Sequence, residues 1–76
     1  MKFCFGDIVV VDADKIGVVV KSWINCNTHK NSYDVYVRLY NKIIEYEESK
    51  IERYMVRHKY LDEVELEFQR NAINGL

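Results

Sequence analysis

The stretch Ile8-Val9-Val10-Val11, Asp12-Ala13-Asp14-Lys15, Ile16-Gly17-Val18-Val19-Val20-Lys21-Ser22-Trp23-Ile24 decides the fold. Its two β-branched runs read as strands over residues 8–11 and 16–24, and the polar cluster between them as a tight turn. Strict alternation in the second run puts Ile16, Val18 and Val20 on one face and Gly17, Val19, Lys21 and Trp23 on the other.

Moving outward, the polar residues 25–32 read as a loop, and residues 33–40 as a third strand. There Tyr33, Val35, Val37 and Leu39 fit a core face, and Asp34, Tyr36, Arg38 and Tyr40 an outer one. A turn at Asn41-Lys42 leads to a fourth strand over 43–47, with Ile44 and Tyr46 on one face. Glu48-Ser49-Lys50 turns again, and residues 51–56 form a fifth short strand. Short strands at this spacing, joined by tight turns, predict a small barrel or sandwich.

The end of the chain reads differently. Asp62 fits a helix N-cap, Glu65 its reciprocal carboxylate, and Leu61 with Leu66 a hydrophobic staple. With the Val64, Phe68 and Ala72 spacing, this predicts a short helix over about 63–73, followed by a tail at Asn74-Gly75. The expectation is one mainly β domain spanning 1–76: five strands over about 6–57, then the helix.

Composition agrees with one small globular domain. The 76 residues are 49% hydrophobic and 30% charged, and 11 Lys and Arg against 12 Asp and Glu give a net charge of −1. That balance carries no general bias towards nucleic acid or membrane surfaces, and the profile excludes low-complexity, collagen-like and multi-domain classes. Charge does divide along the chain, with six basic and four acidic residues in 1–44 against five and eight in 45–76. No apolar run is long enough for a signal peptide or a spanning helix, and Cys4 and Cys26 stand far apart, so a cytoplasmic protein with reduced thiols is expected.

The opening hairpin, Phe5-Gly6-Asp7 before the first strand and Gly17 early in the second, resembles that of small SH3-like barrels such as Tudor and KOW modules. A Gly there permits the bulge or close backbone approach that a sharply bent sheet needs. From Gly6 through about residue 69 the chain resembles the YorP-type proteins of Bacillus phages and prophages, a small SH3-like barrel family. The resemblance implies a five-stranded SH3-like barrel with a short C-terminal helix, in the cytoplasm of a bacterial host. It brings no activity and no functional residues. The hairpin turn departs from KOW modules by carrying Asp12 and Asp14 where Lys or Arg would favour RNA, which counts against RNA binding.

Catalytic motifs are not found. The glycines are too far apart for a phosphate-cradling loop, the serines have no nucleophile-elbow context, and a domain this small is expected to lack a cleft of ligand-site size. The expectation is a non-enzymatic protein without cofactor. Cys26 and His29 have workable local spacing for zinc, but Cys4 and His58 complete no second ligand pair. No metal is expected: Cys4 reads as a buried thiol, Cys26 as a loop thiol, and both histidines as solvent-facing. Arg57-His58-Lys59 reads as an exposed connection.

The informative feature is an aromatic and basic outer face formed by Lys21, Trp23, Tyr36, Arg38 and Tyr40. These residue types are enriched at protein-binding hot spots, so the leading expectation is a module that binds a protein partner there. Cations beside aromatic planes also suit weak single-stranded nucleic-acid binding, the alternative. A structural or self-associating phage protein is the second alternative. The competing structural reading places these aromatics beneath the C-terminal helix.

Overall fold

The computed structural model of the chain describes residues 1–63. Five strands form one antiparallel sheet: β1 (Ile8–Val11), β2 (Lys15–Ile24), β3 (Asn31–Val37), β4 (Lys42–Glu47) and β5 (Glu52–Arg53). Their order is β4-β3-β2-β1-β5, so the first four make a meander and β5 returns to pair with β1. This is the mainly β architecture expected, followed by the start of a short C-terminal helix at residues 59–63. The closed barrel is not formed by the hydrogen bonding, because β4 and β5 remain the two edges of the sheet. Among the described residues no helix is long and apolar enough to cross a membrane.

The larger core cluster lies on one face. Val9, Val11, Val19, Val35 and Val37 interlock there with Phe3, Tyr33 and Ile51, and Ile44 and Tyr46 pack against them. The strand-three and strand-four faces are thus as expected up to Val37. Strand two is not. Val19 pairs with Val35 and is fully buried, whereas Val18 lies on the opposite face with Tyr36. A register shift between Val19 and Lys21 leaves Val20 as the extra residue, and the alternation inverts beyond it. Lys21 and Trp23 therefore do face outward, but in phase with Val18 rather than with Val19.

Gly17 performs the role its position suggested. A Cβ there would meet Val35 Cγ1 at 2.5 Å and the Tyr36 carbonyl oxygen at 2.9 Å, so only glycine lets β2 and β3 approach this closely. Gly6 has φ +89°, and its N–H donates to the Val19 carbonyl at 2.8 Å.

Several boundaries move. β3 ends at Val37, so Leu39 and Tyr40 belong to the following turn rather than the strand. β5 is shorter than expected, and a single 3₁₀ turn, Glu48–Lys50, leads into it. The helix begins at residue 59, ahead of the expected 63, because a second 3₁₀ turn, Val56–His58, runs straight into it. His58 acts as the reciprocal partner at that entrance: its N–H donates to the Met55 carbonyl at 2.8 Å, and its Nδ1 accepts the Met55 N–H at 2.9 Å. Asp62 is consequently inside the helix and not its N-cap. Glu65, Leu66, the Val64, Phe68 and Ala72 stripe and the Asn74-Gly75 tail lie outside the described residues.

Phe3 was not marked as core by any pattern, yet it is fully buried and meets Tyr33 edge-on at 5.4 Å. The Tyr33 hydroxyl accepts the N–H groups of Lys2 and Phe3 and donates to Glu48 at 2.6 Å. This draws the N-terminal segment under the sheet and ties it to the turn after β4. Tyr33 is pushed up by burial first and then by Glu48, while the Tyr33 hydrogen bond holds Glu48 below the usual carboxylate range.

Candidate interaction face

Residues opposite each other in an antiparallel sheet share a face, so the register defines the outer surface. One row crosses four strands: Ile8 on β1, Val18 on β2, Tyr36 on β3 and Ile43 on β4. Its ends are open to solvent, with Ile8 45% and Ile43 60% exposed. On one side lies a charged row, Lys21, Asp34 and Glu45. On the other, Val10, Ile16 and Leu61 form a second buried cluster against Tyr54.

That second cluster covers part of the outer face. Leu61 brings the helical segment at residues 59–63 onto Val10 and Ile16. Among the described residues nothing packs over the Ile8, Val18 and Tyr36 portion, which floors a groove of about 320 Å³ walled by Tyr54, Arg38 and Asp62. This volume is at the lower end of the usual range for ligand sites and corrects the expectation that so small a domain has no cleft.

The polar wall is a fixed unit. Asp62 accepts from Arg38 Nη2 at 3.0 Å and from the Tyr54 hydroxyl at 2.5 Å. The Tyr54 bond, then Arg38, holds the Asp62 carboxyl below its usual range, and the same bond raises Tyr54. Strand β5 and the 3₁₀ turn thus position Tyr54, the helix positions Asp62, and the end of β3 positions Arg38.

The five residues expected to form the face divide into three groups. Tyr36 and Arg38 line the groove. Lys21 and Trp23 lie at the far corner of the same face, with Lys21 Nζ 5.8 Å from the indole centroid. Tyr40 does not belong. It lies in the turn after β3, and its hydroxyl donates to Asp12 at 3.1 Å beside that of Tyr46 at 2.9 Å. Tyr46 packs against the core, so this pair braces the first hairpin turn from the other side of the sheet. Burial and then Asp12 push Tyr46 up to about 12.

Sequence reading missed Ile8, Val18, Ile43, Tyr54 and Asp62. Ile8 and Ile43 could have been found by carrying the outward phase of Tyr36 across to its neighbours. Tyr54 and Asp62 join the site only through the fold.

The other candidate chemistry disperses. Cys4 and Cys26 are both exposed, so Cys4 is not the buried thiol expected. His58 is buried rather than solvent-facing, and His29 is exposed on the β2–β3 loop at φ +57°. Among the described residues no group of three or more His, Cys, Asp and Glu side chains is arranged to hold a metal ion.

No protein-family model matches the chain, and no curated protein and no solved structure matches it either.

Proposed function

We propose that this chain is a small non-enzymatic interaction module that takes a protein partner on the outer face of its sheet. The observation that carries the reading is the open apolar row Ile8, Val18, Tyr36 and Ile43, leading into the groove beside Tyr54. Exposed apolar side chains that are contiguous, aromatic-bearing and rimmed by charge mark association surfaces, whereas scattered ones do not. The groove supports binding more than chemistry, since its one carboxylate, Asp62, is already committed to Tyr54 and Arg38.

The same reading takes the sheet as an SH3-like barrel left open at one seam, since a single 3₁₀ turn carries the chain from β4 to a β5 that pairs with β1. It also takes the chain as a YorP-type phage or prophage protein acting in the cytoplasm of its bacterial host, as the resemblance of its hairpin and overall pattern implies.

The test is affinity capture from bacterial lysate with nuclease present, using the wild-type chain and the Tyr36→Ala and Ile8→Ser variants. A partner retained by the wild type and lost by both folded variants is the expected result. Capture that neither substitution alters would refute the assignment to this face.

Single-stranded nucleic acid is the second reading, favoured by the Lys21–Trp23 pair as a stacking platform. Asp34, Glu45 and Asp62 on the same surface oppose it, because a phosphate backbone would pay for their proximity.

A further inference from the structure

Strand β4 is a sheet edge: it pairs with β3, and no other strand adjoins it among the described residues. Its outward side chains alternate Ile43, Glu45 and Glu47. Glu45 stands directly opposite Asp34 on β3, a like-charge cross-strand pair of the kind that weakens a sheet. Lys21 faces Asp34 from β2 but leans over Trp23 instead. Among the described residues the Asp34 and Glu45 side chains have no ion-pair or hydrogen-bond partner, while Glu47 makes one exposed ion pair, its carboxylate 3.8 Å from Lys30 Nζ. Among the described residues the sheet thus ends in an apolar position, an unpaired carboxylate at Glu45 and an exposed one at Glu47 shared with Lys30, along one unpaired backbone edge.

We infer that β4 is a docking edge for an extended partner segment carrying an apolar side chain and, at the two next alternate positions, Lys or Arg. Such a segment adds as a sixth strand. Its backbone hydrogen bonds supply affinity, its apolar residue extends the Ile8-to-Ile43 row, and its cations meet Glu45 and Glu47. The inference rests on the outer face being a protein-binding surface, and it names the chemistry of what binds.

The experiment is NMR titration of the labelled full chain with a synthetic peptide in which Ile, Lys and Lys alternate with threonine. Amide shift changes along Lys42–Glu47 that fade as salt rises are the expected result. Glu45→Lys should weaken binding about tenfold while raising the melting temperature by a few degrees, because the new cation faces Asp34. A structural role for Glu45 alone would not give that opposition of sign. Equal binding of a peptide with Glu in place of Lys would overturn the inference. So would shifts confined to Ile8, Val18 and Tyr54, a result that keeps the face and removes the edge. A concentration-dependent mass with β4 as the contact would also overturn it, the edge then belonging to a second copy.

Discussion

The two faces of this sheet are built from the same residue types, and they do opposite things. On one, Val9, Val19, Val35 and Val37 are sealed from water together with Phe3 and Tyr33. On the other, Ile8 and Ile43 are left open at the ends of an aliphatic row. The contrast teaches that composition does not distinguish a sealed core from an open face here. Register does, and so does what each face has to pack against.

Three expectations would break or sharpen that comparison. The largest effect is at Gly17, where the core face leaves no room for a Cβ. Gly17→Ala should cost about 3 kcal/mol by forcing Val35 and the adjoining β3 backbone away, measured by urea unfolding. A loss under half that size would mean that β2 and β3 separate without strain. Next comes the pair that compares the faces directly. Val35→Ala should lose about 2 kcal/mol of stability, while Ile43→Ala should change it by less than about 0.5 kcal/mol. Equal losses would erase the distinction between core and outer face.

A further, modest effect concerns the polar tie made by the buried Tyr33 hydroxyl. Tyr33→Phe removes the hydroxyl that serves Lys2, Phe3 and Glu48, and should cost about 1 kcal/mol. Its pH signature is more telling. A carboxyl depressed in the folded chain contributes stability that is present above its unfolded value and lost as pH falls through its folded value. Glu48 is depressed, so the wild type should lose stability on acidification below the ordinary carboxylate range, and Tyr33→Phe or Glu48→Gln should flatten that limb. An unchanged acid limb in both variants would show that other carboxylates set it.

Much of this was legible in the chain. The hairpin, the Tyr33, Val35 and Val37 face and the Ile44 and Tyr46 face follow from alternation, a local property of consecutive side chains. What escaped was set by contacts distant in sequence. Phe3 becomes core only because Tyr33 receives it. Asp62 looked like an N-cap because a carboxylate before an apolar run often is one, but Tyr54 and Arg38 claim it, and His58 already serves the helix entrance. Tyr40 had the outward phase of Tyr36, yet the strand had ended before it was reached. On the outer face, residue type and alternation single out Lys21, Trp23, Tyr36 and Arg38, while the row that joins Tyr36 to Ile8, Val18 and Ile43 needed the register.

The extra residue at Val20 has a consequence for how this chain tolerates change. Upstream and downstream of it, β2 runs in opposite parity, so odd-numbered positions lie on the core face before it and on the outer face after it. Removing that single residue would leave the pairing of β2 with β3 intact on both sides, because Val19 and Lys21 already stand opposite the adjacent residues Val35 and Asp34. Lys21 and Trp23 would keep their outward face, so what the deletion removes is the local kink that the bulge puts into β2 and not the register beyond it.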